Sequence, residues 1–322
     1  MEQSILDFNK QFSFEPVIKN GEKLRPSESF VVGGMGGSHL AADLLTVYNP
    51  ALDLVVHSDY GLPWLSDEKR DASLFIASSY SGSTEETLDF ARVAKESGRN
   101  LICLASGGAL IDFAAKESVP YIEMPSASIQ PRAALGYSII SMAKAMGDGA
   151  LVKGLHGLEE VLNPAALKPQ GEELAQKLKN KIPIIYASSA NRPVAYIWKI
   201  TFNETGKIPA FSNSLPEQNH NELAGFDVIS STKELSGNMS FIFLADEEDH
   251  PRIKRRMEVE TRLLEERGLP VNRIDLEKGP VFQKIFNSLL LADWTALALS
   301  GIYGTEPEAV RIIEEFKKLI TK

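Results

Sequence analysis

Short apolar runs alternate with amphipathic stretches along most of the chain. After a polar, helical lead-in over residues 1–28, the apolar runs recur at intervals that suit parallel strands, and helical periodicity fills the segments between them. This pattern predicts strands at 30–32, 52–57, 73–78, 100–105 and 121–124, and helices at 40–47, 84–95, 111–116 and 133–146. Strands that alternate with helices indicate an α/β fold, here a parallel sheet of about five strands flanked by helices.

The second half of the chain repeats this arrangement. A helical region at 154–180 leads into predicted strands at 182–187, 239–245 and 271–276, and helices at 193–202, 251–267, 281–301 and 307–320. The strand and small-residue loop at 30–38 corresponds to 182–192, and the strand and helix at 73–97 correspond to 239–267, which indicates a weak internal repeat. We therefore expect two α/β domains of the same kind, residues 1–153 and 154–322.

The composition of the chain narrows the classes of protein to which it can belong. The 322 residues are 43% hydrophobic and 24% charged, with a formal net charge of −9, which disfavours nucleic acid as a partner. The single cysteine, Cys103, lies in an apolar run and is expected to be a buried, inert thiol. Charges at 1–10 occupy the place where a signal peptide needs an apolar core, and no uninterrupted apolar run reaches 18 residues, so we expect a cytoplasmic protein without a membrane anchor.

A hydroxyl-rich loop at 78–87 lies between a predicted strand and a predicted helix. Free backbone N–H groups and the helix dipole make such a position an anion site, and Gly82 allows close approach of a ligand. Ser83 and Glu86 also match a capping box, but capping needs one hydroxyl and the loop has five between 78 and 84. Because no lysine follows the glycine, a phosphorylated metabolite suits the loop better than ATP. The candidate donors are Ser79, Ser81, Ser83 and Thr84.

A glycine loop at 33–39 follows the first strand. It resembles a dinucleotide fingerprint, with Asp59 after the second strand, but His39 occupies the position of the third glycine. A glycine-lined wall beside a ligand, with Gly36 and Gly37 in the wall and Ser38 as a donor, is the alternative.

Two charged residues stand at the ends of elements. Arg132 follows Pro131 at the carboxyl edge of the predicted sheet, where α/β folds bind ligands. Glu204 closes a helix, where the dipole disfavours a carboxylate. These placements make Arg132 and Glu204 candidates for a functional site, although exposed surface positions would also accommodate them.

His220 lies in a polar cluster with Glu217, Asn221 and Glu222 between apolar residues. A metal site is the first alternative, but an H-E-x-x-H arrangement and a second histidine at ligand spacing are both missing from the sequence. An imidazole among carboxylates and amides suits proton transfer near neutral pH.

Five segments together resemble one family of enzymes. These are Gly34–Ser38, Ser79–Thr87, Pro131–Gly136, Asn203–Glu204 and Pro216–Glu222. Jointly they resemble the bifunctional phosphoglucose/phosphomannose isomerases, which consist of two sugar isomerase (SIS) domains. The resemblance extends over nearly the whole chain. The serine loop is common to sugar-phosphate SIS domains in general, and the other elements are more specific.

The resemblance implies interconversion of glucose 6-phosphate and mannose 6-phosphate with fructose 6-phosphate through a cis-enediol, in glycolysis and gluconeogenesis, without metal or organic cofactor. It implies Glu204 as the base, His220 as the ring-opening acid/base and Arg132 as the stabiliser of the enediolate. It also implies a homodimer with its active site near the interface, to which His220 is donated. The implied substrate contacts are Ser38, Ser79, Ser81 and Thr84 for phosphate, and Gly36, Gly37 and Thr295 for the pocket.

The chain departs from the family pattern at His39, at Ser83, where asparagine is usual, and at Glu306, where aspartate is more common. Two other interpretations remain. A SIS-type sugar-phosphate sensor without turnover would normally accompany a basic DNA-recognition helix, which the two α/β halves do not contain. Amino-sugar isomerisation coupled to amide transfer would call for an N-terminal nucleophilic cysteine.

Overall fold

A computed structural model describes residues 1–127, 129–276 and 278–320. The chain divides into two compact units, residues 6–162 and residues 1–5 together with the described chain from Asn163 onward. Helix α1 (Glu2–Leu6) runs across the first of these divisions. The boundary expected at 153/154 falls inside a helix, Gly149–His156, that belongs to the first unit.

The first unit is a six-stranded sheet with helices around it. Its strands are β1 (Ile18–Lys19), β2 (Ser29–Gly33), β3 (Asp53–His57), β4 (Ser73–Ser78), β5 (Asn100–Ala105) and β6 (Tyr121–Glu123). Its helices are α2 (Leu40–Tyr48), α3 (Asp67–Ala72), α4 (Glu85–Glu96), α5 (Gly108–Lys116), α6 (Leu135–Ala145), α7 (Gly149–His156) and α8 (Leu158–Val161). Short 3₁₀ turns lie at Phe8–Ser13, Gly21–Lys23, Gly36–Ser38 and Pro131–Ala133.

The strand order in this sheet is β1-β6-β5-β4-β2-β3. The five parallel strands confirm the predicted sheet, and β1 adds a sixth, antiparallel edge strand of two residues. Every residue of β4 and β5 is buried, as expected for central strands covered on both faces. Gly33 is in register with Ala77, so β2 and β4 end side by side at the carboxyl edge of the sheet. The loops that follow these two strands are therefore neighbours.

The second unit contains a smaller parallel sheet. Its strands are β7 (Ile182–Ser188), β8 (Phe211–Leu215), β9 (Met239–Asp246) and β10 (Val271–Leu276). Its helices are α9 (Lys168–Leu178), α10 (Arg192–Glu204), α11 (Lys233–Ser236), α12 (Pro251–Glu266), α13 (Val281–Tyr303) and α14 (Arg311–Ile320), with 3₁₀ turns at Pro164–Leu167, Glu217–His220 and Glu222–Phe226. Over the described residues, this sheet has four strands rather than the expected five.

The order β10-β9-β7-β8 matches the order β5-β4-β2-β3 of the first sheet. The internal repeat inferred from the sequence therefore has a topological counterpart. Strand β8 is absent from the predicted elements because FSNSL has apolar residues only at its two ends, and its pairing with β7 makes it a strand. The last helix begins at Arg311 rather than at 307, because the carboxylate of Glu306 accepts hydrogen bonds from the backbone N–H groups of Glu308 and Ala309 and holds a turn there.

Helix α13 is the core helix of the second unit. Its residue Trp294 packs so closely on α9 that a Cβ on Gly171 would lie 2.5 Å from the Cβ of Trp294. Helix α13 is long and apolar enough to cross a membrane, but 67% of its most apolar 18-residue segment is buried within the protein. Burial of this extent is typical of a core helix, which passes the same test of length and apolarity.

Candidate functional site

The glycine loop bends sharply after β2. Gly36 has a φ of +52°, a conformation that favours glycine, and it begins the 3₁₀ turn Gly36–Ser38. A Cβ on Gly37 would lie 3.0 Å from the backbone nitrogen of Arg132, and a Cβ on Gly34 would lie 2.8 Å from the carbonyl oxygen of Ser78. The absence of side chains thus lets the glycine loop approach both the end of β4 and the turn that carries Arg132.

The serine loop connects to the glycine loop by direct hydrogen bonds. The hydroxyl of Ser78 donates to the carbonyl of Ser38 at 2.8 Å, and the backbone N–H of Tyr80 donates to Ser38 Oγ at 3.1 Å. Ser79 Oγ and Thr84 Oγ1 are hydrogen-bonded to each other at 2.9 Å. Ser81 is exposed at the tip of the loop. The structure therefore places three predicted phosphate ligands, Ser38, Ser79 and Thr84, in one hydrogen-bonded pair of loops, and the fourth, Ser81, in the same serine loop.

Thr84, the N-cap residue of α4, does not cap the helix through its side chain. Among the described residues, no hydrogen bond of the predicted Ser83 and Glu86 box is found either. The first N–H groups of a helix have no partner within the helix and carry the positive end of its dipole. Capping therefore leaves the loop hydroxyls unexplained, and an anion site at this helix end stays a prediction.

Arg132 lies in the 3₁₀ turn Pro131–Ala133 that precedes α6. Its side chain is half-buried. Gln11, from the lead-in, holds this turn from behind: its Nε2 donates to the carbonyl of Ala133 at 2.6 Å, and its Oε1 accepts from the N–H of Gly136 at 3.0 Å. Sequence patterns carry no signal for this anchor, because Gln11 is more than a hundred residues away from the turn.

In the second unit, Glu204 is the last residue of α10 and borders a cavity of about 660 Å³. Asn203, Lys207 and residues 304–306 and 309–313 complete the lining. Burial lowers the pKa of Lys199, and the negative charge of Glu204 counteracts this effect, so the carboxylate acts on a neighbouring ammonium group.

Lys207 is a residue of this region that the sequence analysis did not single out. Its Nζ donates to the carbonyls of Glu204 and Ala309, and its own φ is +57°. An ammonium group at the C-terminus of α10 offsets the unfavourable placement of a carboxylate there. The sequence did contain a signal for this role, namely a lysine three residues after the glutamate that ends a helix.

His220 ends the 3₁₀ turn that follows β8, and its imidazole is exposed. Its ring forms no hydrogen bond within the described part of the chain, whereas its neighbours are held. Asn221 Nδ2 donates to Glu217 Oε1 at 2.8 Å, and Glu222 accepts from Tyr186 Oη at 2.6 Å and from Asn213 Nδ2. Burial, followed by the contact with Glu222, raises the pKa of Tyr186, which therefore stays a donor. Within the described part of the chain, an unbonded imidazole therefore lies on a segment that hydrogen bonds hold.

Thr295 is fully buried in α13, and its hydroxyl donates to the carbonyl of Leu291 at 2.7 Å. It is not among the residues that line the Glu204 cavity. Its burial gives no support to the expectation that it borders the substrate.

The loop of the second unit that corresponds to the serine loop is filled by the protein itself. Asp246, at the end of β9, accepts hydrogen bonds from Lys284 Nζ at 2.7 Å and Asn191 Nδ2 at 3.1 Å. Burial acts to raise the pKa of Asp246, but the hydrogen bonds from Lys284, the Glu248 backbone and Asn191 outweigh it and lower that pKa. The side chains of Asp246 and Lys284 thus pair with each other in this loop, and the anion site of the first half stays a prediction. Among the described residues, no group of three or more His, Cys, Asp or Glu side chains is placed to hold a metal ion.

Comparison with known proteins identifies the family. Residues 168–320 match the model of the bacterial phospho-glucose isomerase C-terminal SIS domain. The chain is 34% identical to the bifunctional phosphoglucose/phosphomannose isomerase of Caldicellulosiruptor bescii, over 97% of this chain and 95% of that protein. The chain belongs to the bifunctional phosphoglucose/phosphomannose isomerase family. The family's enzyme from Aquifex aeolicus is 32% identical over 98% of this chain and 96% of its own length.

Solved structures agree with the SIS fold of this family. A hypothetical protein from Thermus thermophilus aligns with a TM-score of 0.70 at 18% identity, covering 99% of this chain and 87% of that one. At this level of identity the match shows the fold alone.

The two departures from the family pattern in the loops have structural explanations. His39, the residue before α2, is hydrogen-bonded through Nδ1 to Asp43 Oδ2 at 2.6 Å, so a residue in the first turn of that helix holds this bulkier side chain. Ser83 lies at the crossing of the serine loop with the Gly107–Gly108 loop, where a Cβ on Gly108 would be 2.9 Å from Ser83 Oγ. Both residues are accommodated by local packing.

Proposed function

We propose that the protein is a sugar-phosphate aldose–ketose isomerase that interconverts glucose 6-phosphate and mannose 6-phosphate with fructose 6-phosphate. The observation that carries the proposal is the serine loop: the hydroxyls of Ser79 and Thr84 are hydrogen-bonded to each other at a helix N-terminus that its N-cap residue, Thr84, does not cap within the described chain. Hydroxyl donors beside unpaired backbone N–H groups suit a phosphate dianion. The named activity of the relatives that match nearly the full chain points to the same substrates.

The proposed chemistry divides among three side chains. His220 acts as the acid/base that opens the sugar ring, exchanging a proton with the ring oxygen and O1. Glu204 removes the C2 proton of the open-chain aldose and returns it to C1 through a cis-enediol, while the proton of the O2 hydroxyl is transferred to O1. Arg132 stabilises the negative charge of the enediolate. Since glucose 6-phosphate and mannose 6-phosphate differ only at C2, both give the same cis-enediol, which accounts for the two activities. This proton transfer requires no metal or organic cofactor.

Turnover of fructose 6-phosphate tests this assignment. We expect both aldose phosphates to appear, and E204Q to lower kcat by about 10²- to 10⁴-fold while it still binds substrate. The variant E266Q, which removes an exposed carboxylate at the end of α12, is the matched control and should behave as the wild type. An unchanged rate in E204Q would exclude Glu204 as the base. Binding without any turnover in the wild type would indicate a sugar-phosphate sensor instead.

We also propose that the protein is a homodimer in which His220 acts on the substrate bound by the other copy. The exposed imidazole, without a partner in the described chain, supports this role. Mixing inactive H220A and E204Q proteins separates the possibilities. If sites are shared, half of the sites in each mixed dimer are intact, so roughly a quarter of wild-type activity returns in a statistical mixture. No recovery would show that each copy uses its own histidine. The reaction would serve glycolysis and gluconeogenesis in the cytoplasm.

A further inference from the structure

Two side chains of α12 hold the turn that carries His220. Glu260 Oε2 accepts hydrogen bonds from Gln218 Nε2 at 2.6 Å and from Asn219 Nδ2 at 2.7 Å. Arg256, one helical turn earlier, donates from Nη1 to Asn219 Oδ1 at 3.2 Å. Both ends of the Asn219 amide are therefore fixed to α12, immediately before His220. We call Arg256 and Glu260 the α12 clamp.

Burial makes Glu260 an energetically unfavourable residue for the fold. Glu260 is 2% exposed and Gln218 is fully buried, and the carboxylate faces amides rather than a cation. Burial raises the pKa of Glu260, although the hydrogen bonds from Gln218 and Asn219 act to lower it. In addition, Glu260 Oε1 and Gln218 Oε1 are buried without a hydrogen-bond partner among the described residues. Apolar residues often replace buried charged groups without loss of stability, so packing alone does not explain Glu260.

The turn needs such a clamp if His220 is to transfer protons. Efficient proton transfer requires an imidazole held within hydrogen-bonding reach of the reacting oxygen, and an exposed ring on a loose turn would sample many positions. The side chains of Glu222 and Asn221 hold the chain after His220, through Tyr186 and Glu217. The α12 clamp holds the chain before it. The ring itself remains unbonded within the described part of the chain.

We propose that Arg256 and Glu260 are positioning residues that orient His220 for catalysis. The inference rests on the proposed function, in which His220 is the acid/base for ring opening. A positioning role makes two predictions that a general structural role does not. Loss of the clamp should lower the rate of a catalytic step without weakening substrate binding. A substituted side chain that keeps the hydrogen bonds of Glu260 should also keep the rate.

Three variants of α12 test the clamp by steady-state kinetics with fructose 6-phosphate. We expect E260L to lower kcat by about 10- to 100-fold with little change in KM, because a misplaced group loses rate rather than affinity. E260Q should recover most of the activity, since its amide oxygen still accepts from Gln218 and Asn219. The matched control is E258Q, an exposed carboxylate on the same helix that pairs only with Arg255 among the described residues.

Amide hydrogen exchange over residues 217–222 gives a readout that does not depend on turnover. Exchange there should be faster in E260L and in R256M than in the wild type and E258Q, with the core strand β9 unchanged. If E260L does not fold, R256M and E260Q carry the test. Wild-type kcat in folded E260L, or a raised KM with kcat unchanged, would overturn the inference. A wild type without isomerase activity would instead overturn the proposed function, and the exchange data would still show whether the clamp orders the turn.

Discussion

Gly82 lies directly against the carbonyl of Gly107: a Cβ on Gly82 would be 1.8 Å from that oxygen. This contact seats the serine loop on the start of α5, and the N–H of Leu110 donates to the Gly82 carbonyl at 2.8 Å. Gly82 also has a φ of +67°. Two separate requirements, conformation and space, therefore exclude any side chain at this position of the candidate phosphate site.

The variant pair G82A and G98A separates these requirements. Gly98 has nearly the same φ, +65°, but open space around its Cβ position. We expect G98A to lose about 1 to 2 kcal/mol of unfolding free energy from the left-handed conformation alone. G82A should lose at least about 3 kcal/mol, because the Gly107 carbonyl must also move. Urea unfolding measures both, and equal losses would show that the contact with Gly107 is not limiting.

Removal of the Ser79 hydroxyl should weaken phosphate binding. Hydrogen bonds to a charged group contribute about 1.5 to 3 kcal/mol, so S79A should raise the Kd for inorganic phosphate roughly 10- to 100-fold. S97A, at the opposite end of α4, removes an exposed hydroxyl and is the control. Calorimetric titration with phosphate gives both constants. Equal affinity in S79A and the wild type would place the anion elsewhere.

Loss of the lysine in the second unit should destabilise the fold without affecting phosphate binding. Lys284 and Asp246 side chains are 5% and 6% exposed, so K284M leaves a buried, unpaired carboxylate and should cost about 3 to 5 kcal/mol. The double variant D246N/K284M should recover much of this loss. Chemical denaturation of the wild type, K284M and D246N/K284M measures the order of their unfolding free energies. Because the pKa of Asp246 is lowered in the folded state, its stabilising contribution is present above its ordinary value and is lost as the pH falls through the folded value.

Cys103 should limit stability at high pH. Burial raises the pKa of its thiol to about 12, from an ordinary value of 9.0, so the folded chain keeps the proton that the unfolded chain releases. The contribution of the protonated thiol to the unfolding free energy is fully present below pH 9.0. It should fall by about 1.4 kcal/mol per pH unit between the unfolded pKa of 9.0 and the folded pKa of about 12. Unfolding of the wild type and C103A between pH 8 and 11 tests this. If the unfolding free energies of the two proteins fell with pH at the same rate, Cys103 would not be the group responsible.

Much of the site followed from local sequence. The glycine loop, the serine loop and Gly82 are recognisable because strand, turn and helix signals lie within a few residues of one another, and positive φ values are a property of single positions. The central strands β4 and β5 were equally clear, because burial on both faces requires continuous apolar runs.

Other features depended on partners distant in the sequence. Strand β8 exists only through its pairing with β7, and β1 through its pairing with β6. Lys284 is 38 residues from the Asp246 that it neutralises, and Glu260 is 42 residues from the Gln218 that it holds. The sequence by itself determined which loops have the chemistry for an anion. Only the tertiary structure decided which buried charges are compensated and which side chains hold His220, because these depend on packing between elements and no local signal specifies the partner.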